Sequence, residues 1–407
     1  MKIRSITCFV DPGWPLDPTA LNPVEKLISR ARPAFEAAGF EIQSTRLATP
    51  PFPVIIGSGD AHTAVRLAKS LSAASRSLGV DYLSLGPALP EIPESYEAIP
   101  PIIALAEGVF LGGMLTADGG VSLPSVRRCA RAICDLAALL PNGFANLYFA
   151  ALANVPPGAP FFPAAYHAGG EPAFALAMEA ADLAVSAFRG ATGLAEARQR
   201  LVSAVEGAAG RLEQVARVLE EDSGVRFDGI DFTLAPFPQV ESSIGTAMEA
   251  LGLEALGASG TLAVSAFLTD TLDRARYPRA GFNGLMLPVL EDSTLAQRAG
   301  QGLFSVQDLL LFSAVCGTGL DTIPLPGDTT PGQLEALLLD LAALALRLDK
   351  PLTARLMPIP GKRAGDLTDF DFPYFANSRI MELRPGSLGG LLAGDETLLI
   401  SRRTHIG

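Results

Sequence analysis

The sequence predicts an α/β protein in which strands alternate with helices around a large apolar core. The 407 residues are 49% hydrophobic and only 18% charged, which supplies material for a buried core and gives no compositional sign of disorder. Segments with strand-like alternation are repeatedly followed by segments with helical periodicity. Forty glycines and 32 prolines indicate many short elements joined by tightly shaped loops. This order favours a sheet or a barrel with helices outside.

Apolar alternation and buried apolar runs mark the strands in chain order. The predicted strands span 3–10, 40–47, 80–87, 109–115, 147–155, 225–234, 284–290 and 352–358. The strand at 225–234 is followed by Ala235-Pro236-Phe237-Pro238, where two prolines prevent a central strand from continuing. We therefore expect a loop of functional interest to begin there.

Capping residues mark several of the helices. Asp60 is placed to cap one helix, and Thr330, Pro331 and Gln333 have the spacing of a capping box. The predicted helices begin near 22 and then span 60–78, 125–140, 172–188, 194–221, 243–251, 261–272, 293–300, 306–314 and 330–348. We expect a single domain over residues 1–407, from which 188–224 projects as a solvent-facing helical excursion.

Charge and composition exclude several kinds of partner. The formal net charge of −12 argues against nucleic acid and anionic membranes, because binding to a phosphate backbone requires clustered Lys and Arg. A local basic pocket for a small anion is still compatible with this charge. Acidic residues interrupt the most apolar stretches, so no membrane segment is predicted, and the alternating start lacks the apolar run of a signal peptide. Four cysteines are too few for a disulfide-rich scaffold, which favours a cytoplasmic location.

Metal and thiol chemistry find little support in the sequence. Cys129 and Cys134 lie five residues apart on a predicted helix, which places them on different faces. The chain has only three histidines, none in a metal-binding spacing: His62, His167 and His405. We therefore predict no metal and no cofactor. Cys316, where a predicted helix gives way to a glycine-rich loop, is either a reactive thiol or a small buried hydrophobic residue.

The segment 163–172 carries a group of candidate acid–base residues. Tyr166, His167 and Glu171 flank two adjacent glycines that allow a close approach to a ligand. An imidazole titrates near neutral pH and a carboxylate can fix its tautomer, so His167 and Glu171 are candidate catalytic residues. The alternative is that Glu171 only favours the start of a helix while His167 packs or faces water.

Two further candidates lie around the predicted strand 225–234. Asp231 stands within this apolar run, where a carboxylate is costly unless it is hydrogen-bonded or paired. We expect it to have a specific partner, either loop backbone or a ligand. Ser243 is a candidate ligand contact, or else it caps the helix 243–251.

Basic residues near the last predicted strand form the final candidate group. Arg355 and Lys362 could clamp a carboxylate or a phosphate close to Asp321. The alternative is that Arg355 pairs with Asp321 inside the fold, which would make the pair structural.

Over nearly its full length, the chain resembles a known family, the domain of unknown function 711, also named uncharacterised protein family 0210. The order and joint occurrence of the matching segments are specific. As they stand here, these segments are Phe161-Phe162-Pro163-Ala164-Ala165-Tyr166-His167, Asp231-Phe232-Thr233-Leu234-Ala235-Pro236, Gly260-Thr261, Leu287-Pro288-Val289-Leu290-Glu291-Asp292, Cys316-Gly317-Thr318-Gly319-Leu320-Asp321, Pro326-Gly327-Asp328-Thr329 and Pro358-Ile359-Pro360-Gly361-Lys362.

The resemblance implies a barrel similar to that of pyruvate formate-lyase and anaerobic ribonucleotide reductase. In such a barrel about ten strands enclose a central loop that carries a reactive thiol. The glycyl radical of those enzymes requires a segment of the type Arg-Val-x-Gly-Tyr near the C-terminus. Arg384-Pro385-Gly386-Ser387 and Gly389-Gly390 do not match it. The expected fold is therefore a pyruvate formate-lyase-like α/β barrel that lacks the glycyl-radical motif.

Together these observations predict an enzyme that acts on a small anionic metabolite by acid–base chemistry, lyase-like or hydrolytic, without metal or radical. A non-catalytic metabolite-binding or regulatory protein is the first alternative, and an oligomeric scaffold is the second. The expected partners are the metabolite and, in a homo-oligomer, further copies of the chain. We expect the candidate side chains to share one pocket at the ends of the strands. The expected catalytic residues are His167, Glu171, Asp231 and Cys316, and the expected ligand contacts are Tyr166, Ser243, Asp321, Arg355 and Lys362.

Overall fold

The computed structural model describes residues 1–403. Its main structural feature is a sheet of nine strands. His405 lies outside the described residues. The strands of this sheet are β1 (Lys2–Phe9), β2 (Thr45–Pro51), β3 (Tyr82–Ala88), β4 (Val109–Met114), β7 (Phe149–Ala153), β8 (Ala173–Glu179), β9 (Arg226–Ala235), β10 (Gly319–Pro326) and β11 (Leu352–Ile359). A small second sheet contains β5 (Thr116–Ala117), β6 (Gly120–Ser122) and β12 (Thr397–Leu399).

The helices lie mainly in the connections between the strands of the large sheet. They are α1 (Asn22–Ala37), α2 (Phe52–Ile55), α3 (Ala61–Ser77), α4 (Ile99–Leu105), α5 (Leu123–Ala137), α6 (Ala181–Phe188), α7 (Leu194–Ser223), α8 (Ile244–Ala250), α9 (Thr261–Asp273), α10 (Ser293–Gly300), α11 (Val306–Phe312) and α12 (Pro331–Leu348). Within residues 1–403, no helix combines the length and the apolar character needed to cross a membrane.

The nine strands form one block of five parallel strands, and on each side of it lies a pair of strands that runs antiparallel to the block. Their order across the sheet is β10-β11-β7-β4-β3-β2-β1-β8-β9. The five central strands, β7 to β1 in this order, are parallel to one another. The pairs β8–β9 and β10–β11 are each parallel internally and run antiparallel to the block. The structure is thus a mixed α/β fold with a large, mostly parallel sheet.

Both edges of the sheet contact the same irregular segment, residues 278–291. At one edge, the backbone N–H of Ala280 donates to the carbonyl of Ile230 in β9 at 3.1 Å. At the other edge, the N–H of Val289 donates to the carbonyl of Asp321 in β10 at 3.1 Å. Because a segment of 14 residues reaches both edges, the sheet must be curled, with its concave face turned inward.

The two faces of the curled sheet carry different side chains. Successive residues of a strand point to opposite faces, and on the outer face Cys8, Leu47, Leu83 and Leu111 join the main core beneath the helices. The concave face carries several alanines, and in a separate inner cluster Phe9, Ala48, Phe110, Ala173 and Ala175 of the strands pack with Phe162 and Ala165 of the segment between β7 and β8. Small side chains on this face leave room inside the curl for a loop and a cavity.

The loop that fills part of this space is the segment 154–167, between β7 and β8. The hydroxyl of Thr7 in β1 donates to the carbonyl of Pro160 at 2.8 Å, and the hydroxyl of Ser84 in β3 donates to the carbonyl of Ala165 at 2.8 Å. Polar side chains on the concave face therefore satisfy the backbone of a loop that lies within the sheet. This loop brings Phe161 and Phe162 into the interior.

Most predicted strands and helices are confirmed within a few residues, but two assignments are wrong. The capping box at Thr330 and Gln333 is present, and α12 begins directly after it. The predicted helix 172–188 is instead β8 followed by α6. The predicted strand 284–290 has no regular ladder and forms only an isolated bridge at Pro288, whereas the unpredicted β10 forms nearby. Contacts with neighbouring strands, rather than local propensity, decide these segments.

Candidate functional site

The concave face of the sheet encloses an open cavity of about 190 Å³, which we call the arginine pocket. Its lining includes Arg4 from β1, Arg46 from β2 and Arg355 from β11. The pocket lies where the strands of the central block begin, because its lining includes Tyr82, the first residue of β3, and Phe110, the second residue of β4. A smaller space of about 20 Å³ adjoins it behind Arg355.

Four charged side chains form a continuous chain of ion pairs along this pocket. Glu291 lies between two arginines: one carboxylate oxygen contacts Arg4, and the other accepts from Nη2 of Arg355 at 2.7 Å. Nε of Arg355 then donates to Oδ1 of Asp321 at 2.6 Å. Burial acts to raise the pKa of Glu291, but Arg4 and Arg355 outweigh it and hold that pKa below its usual value. Glu291 is therefore ionised, and the formal charges of the two arginines and the two carboxylates in the chain cancel.

A β-bulge turns Arg4 toward the pocket. In the pairing of β1 with β8, Ile3 lies opposite Met178 and Ser5 lies opposite Ala177, so Arg4 is the extra residue. Without the bulge, Arg4 would point away from the face that Ser5 occupies, because neighbouring side chains alternate. Ser5 faces the interior, where its hydroxyl donates to the carbonyl of Pro160 at 3.3 Å.

Arg46 lies beside the ion-pair chain but has no carboxylate partner among residues 1–403. Its Nε donates to Oγ of Ser44 at 2.9 Å, and no other hydrogen bond of its side chain is present in that part of the chain. The guanidinium carbon lies 5.0 Å from the ring centre of Phe162 and 5.9 Å from that of Tyr82. Burial, and then the charge of Arg4, lower the pKa of Arg46 to about 9. Arg46 is thus a cation held at an energetic cost, with its two terminal nitrogens available.

The tyrosines fall into two groups according to their hydroxyl groups. The chain has six tyrosines, and three of them donate a hydroxyl hydrogen bond within the fold: Tyr96, Tyr166 and Tyr277. The other three line the arginine pocket and have no hydroxyl partner among residues 1–403: Tyr82, Tyr148 and Tyr374. Burial raises the pKa of Tyr82 and of Tyr148, so both are protonated donors at neutral pH. Within residues 1–403, the tyrosine hydroxyl groups without a partner are therefore all at the arginine pocket.

The loop that contains Phe372 and Tyr374 covers one side of the arginine pocket with aromatic rings. Phe372 and Tyr374 line the cavity, and their ring centres lie 5.2 Å apart. The loop is anchored at its base, where the side chain of Asn377 both accepts from the N–H of Phe370 and donates to its carbonyl. The N–H of Ala376 also donates to the carbonyl of Leu290 at 2.7 Å, next to Glu291. The segment that contains Leu290 and Glu291 therefore contacts the loop and also belongs to the ion-pair chain.

Of the residues predicted from sequence, the structure brings Arg355 and Asp321 together and leaves the acid–base group elsewhere. His167 is buried, its backbone N–H donates to the carbonyl of Thr49, and its Nδ1 has no partner within residues 1–403. Its ring centre lies 6.2 Å from that of Phe9, which is at the opposite end of β1 from Arg4. Burial lowers the pKa of His167. Glu171 is exposed, and His167, Glu171 and Tyr166 do not line the arginine pocket.

Asp231 is fully buried, and its carboxylate holds the segment 278–291 against β9. It accepts from the backbone N–H groups of Phe282 at 2.7 Å and Asn283 at 2.9 Å. It also accepts from the N–H and the hydroxyl of Thr233 in its own strand. Of the two partners left open by the sequence, the structure therefore shows loop backbone.

Three further predicted residues have local contacts outside the pocket. Ser243 caps α8 by accepting from the N–H of Thr246 and donates to Asp292. Cys316 is buried in the main apolar core, and Lys362 pairs with Asp369 at 3.4 Å near the surface. Within residues 1–403, no group of three His, Cys, Asp or Glu side chains is arranged to hold a metal ion. The nine predicted site residues therefore do not share one pocket.

Comparison with known proteins identifies the family. A family model described as "Uncharacterised ACR (DUF711)" matches residues 1–377. The chain belongs to this family. A UPF0210 protein from Pyrobaculum arsenaticum is 34% identical over 92% of this chain and 88% of its own length. UPF0210 proteins from Pyrobaculum islandicum and Desulfovibrio desulfuricans are 32% and 28% identical, over 92% and 85% of this chain and 88% and 80% of their own lengths.

Sequence reasoning missed four charged residues of the pocket in this DUF711 protein, namely Arg4, Arg46, Asp81 and Glu291. Glu291 lies within one of the segments that mark the family, but it was not predicted to be a site residue. Arg4 and Arg46 lie in strands whose other residues are largely apolar or small. The criterion that singled out Asp231, a charge within such a strand, applies equally to both arginines and would have found them.

Proposed function

We propose that the protein is an enzyme that binds a small anionic metabolite in the arginine pocket and acts on it by acid–base chemistry, without metal or radical. The observation that carries this proposal is the unpaired guanidinium of Arg46. Arg46 is half-buried, and a partly desolvated cation without a counter-ion is costly to the protein alone, so its presence is explained if a ligand supplies the negative charge. Perturbed charged groups in a concave site are typical of function.

The acid–base part of the proposal rests on the tyrosines rather than on the residues predicted first. Tyr82 and Tyr148 present protonated hydroxyl groups to the cavity. Such a group can donate a proton or a hydrogen bond to negative charge that develops on the ligand. His167, Glu171 and Asp231 were predicted from the sequence to be catalytic, and this prediction is untested. None of the three lines the pocket in which we propose that the anion binds.

A metabolite-binding protein without catalysis is the competing proposal, and one observation favours it. The buried carboxylates of Glu291, in the pocket, and of Asp321, in the smaller space behind Arg355, are both engaged by arginines, which disfavours a role as general base. Incubation of the purified chain with pooled anionic metabolites separates the two proposals. An enzyme converts a component of the pool, whereas a binding protein returns it unchanged.

The matched variants for this experiment are Tyr148→Phe and Tyr96→Phe. Tyr148 has a free hydroxyl in the pocket, whereas Tyr96 donates to the carbonyl of Met114 elsewhere in the fold. We expect the first variant to lose turnover by roughly 100-fold while it retains binding, and the second to change turnover little. Equal turnover in the wild type and Tyr148→Phe contradicts the catalytic role of this residue. An oligomeric scaffold would self-associate in light scattering and show neither turnover nor ligand binding.

We also propose that the sheet is a variant of the pyruvate formate-lyase-like barrel that the family resemblance implies. The five-strand block, the two antiparallel flanking pairs and the contacts of 278–291 with both edges support this proposal. In this proposal the irregular segment stands in the place of a tenth strand. The fold alone does not transfer radical chemistry, because function depends on the site. A crystal structure with 278–291 detached from either edge would contradict the barrel.

A further inference from the structure

We infer that the ligand of the arginine pocket is a small monocarboxylate with a flat apolar body. This inference rests on the proposed function and narrows it from anions in general to one chemical class. The charge balance of the pocket, the free donors of Arg46 and the aromatic walls each restrict the ligand.

The charge balance requires one negative charge from the ligand. The chain from Arg4 to Asp321 contains two guanidinium groups and two carboxylates, so it is neutral without a ligand. Arg46 adds a single positive charge. A carboxylate supplies one negative charge, whereas a phosphate monoester carries about 1.5 to 2 at neutral pH and overcompensates.

Two other acidic residues near the pocket do not supply this charge. Asp81 at the rim is exposed, and its Oδ2 accepts from the backbone N–H of Thr45 at 2.8 Å. Glu179 accepts from Nε2 of Gln43 at 3.4 Å, and burial raises its pKa although the charges of Arg4 and Lys2 oppose this shift. Neither acidic group lies within ion-pair distance of Arg46. The positive charge of Arg46 therefore remains for a ligand.

The donors of Arg46 suit a carboxylate geometrically. Because Ser44 engages Nε, the two terminal nitrogens are the ones left to bind. They form a planar fork that matches the two oxygens of a carboxylate. The stacking of the guanidinium over Phe162 limits its rotation and so presets the direction of this fork.

The walls beside this fork are a continuous series of aromatic rings. The ring centre of Phe110 lies 5.6 Å from that of Tyr82, 4.9 Å from that of Tyr148 and 5.3 Å from that of Phe162. Flat rings provide apolar surface with little loss of conformational entropy, and they favour a flat ligand body that can stack or pack edge to face. The modest volume of about 190 Å³ restricts this body to a small one.

Four probes that differ in one property each test the inference by calorimetric titration of the full chain. Benzoate has the predicted charge and body, benzamide lacks the charge, phenyl phosphate has the wrong charge and acetate lacks the apolar body. We expect benzoate to bind at least tenfold more tightly than each of the other three. We expect Arg46→Gln to weaken benzoate binding by about 10- to 100-fold, the loss typical of a charge-assisted hydrogen-bonded pair.

A matched control is Arg211→Gln. Arg211 stacks on Phe40 with the guanidinium carbon 5.0 Å from the ring centre, the same distance as Arg46 to Phe162, but it lies outside the pocket. This variant should bind benzoate like the wild type. Arg46→Lys, which keeps the charge but lacks the fork, should fall between the wild type and Arg46→Gln, and it provides a second measurement if the glutamine variant does not fold.

The possible results separate this inference from the proposed function. If phenyl phosphate binds more tightly than benzoate and depends on Arg46, the monocarboxylate class is wrong while an anion site at Arg46 stands. If acetate or benzamide matches benzoate, the aromatic walls or the charge do not select the ligand, and the inference fails. If no probe binds, or if binding is the same in Arg46→Gln, both the inference and the anion site are wrong.

Discussion

At the scale of single residues, two of the three arginines of the pocket differ in their ion pairs. Arg355 is engaged by both Glu291 and Asp321, whereas Arg46 has no acidic partner among residues 1–403. A paired buried charge and an unpaired one have opposite effects on stability when they are removed. Removal of the first leaves Asp321 without an ion-pair partner and leaves Glu291 with Arg4 alone, and removal of the second relieves a desolvation cost.

We therefore predict opposite changes in stability for Arg355→Met and Arg46→Met in the ligand-free protein. The first should lower the free energy of unfolding by about 3–5 kcal/mol, because it leaves the buried carboxylate of Asp321 unpaired. The second should raise it by about 1 kcal/mol, as is common when a functional site is made less strained. Denaturant unfolding followed by circular dichroism measures both. Comparable losses in the two variants would mean that Arg46 is stabilised by a contact that we have not identified.

The stabilising effect of Glu291 should depend on pH. Because its pKa in the folded protein lies below the usual 4.5, its contribution is present above that value and is lost as the pH falls through the folded-state pKa. Glu291→Gln should cost about 3–5 kcal/mol at pH 7, and the difference from the wild type should narrow below pH 4.5. Unfolding curves between pH 3 and 7 test this. Glu41→Gln, which removes an exposed pair with Lys2, should show a small effect at every pH.

At the scale of elements, the segments that were hardest to predict are β8, β10 and 284–290, which lie at or next to the edges of the sheet. β10 contains Pro324 and Pro326, which argue against a central strand, but it lies at the edge of the sheet, where proline is tolerated. β8 is rich in alanine and resembles a helix in isolation, but its alanines occupy the crowded concave face. The segment 284–290 has the pattern of a strand, yet it lies between two edges that are not adjacent. Sequence pattern reports local preference, and these three segments are decided by their neighbours.

The attachment of 278–291 to β9 depends on a close approach at Gly281. This glycine has a φ of +76°, and a Cβ there would lie 2.2 Å from Oδ2 of Asp231. Gly281→Ala should therefore destabilise the protein by more than about 2 kcal/mol through strain and displacement of a buried carboxylate. Gly190→Ala is the control, since its φ is +70° but a Cβ there would meet nothing within 4 Å. It should show only the smaller backbone cost.

Hydrogen exchange distinguishes the cause of this loss. If Asp231 holds the segment, the amides of Phe282 and Asn283 should exchange faster in Gly281→Ala than in Gly190→Ala. Equal stability and equal exchange in the two variants would show that the contact with Asp231 is unimportant.

At the scale of the whole molecule, the pocket unites residues that are distant in the chain. Arg4, Arg46, Glu291 and Arg355 meet because the curled sheet brings β1, β2, β11 and the segment 278–291 together. The sequence indicated the α/β class, the family and, as one of two alternatives, the pair of Arg355 with Asp321. It did not indicate that His167 and Arg4 lie toward opposite ends of β1, because alternation along a strand does not reveal how the strands are ordered across a sheet.

The dependence of the pocket on both halves of the chain predicts cooperative unfolding. We expect residues 1–403 to unfold in a single transition, because the edges of the sheet are held by the same segment. Circular dichroism and the fluorescence of the only tryptophan, Trp14, should give coincident denaturation curves. Separate midpoints for the two signals would indicate more than one folding unit.

The position of the pocket also determines which electric fields a ligand meets. The connections that follow α1, α3 and α4 lead into β2, β3 and β4, and Ser44 and Asp81 in the first two of them line the cavity. The ends of these helices that are nearest to the pocket are therefore C-terminal ends, whose partial charge is negative. The backbone dipoles of these three helices oppose the entry of an anion, unlike those at the phosphate sites formed by helix N-termini. The attraction between the arginine pocket and an anion must therefore come from charged side chains. The three helices would not compensate for the loss of a guanidinium group.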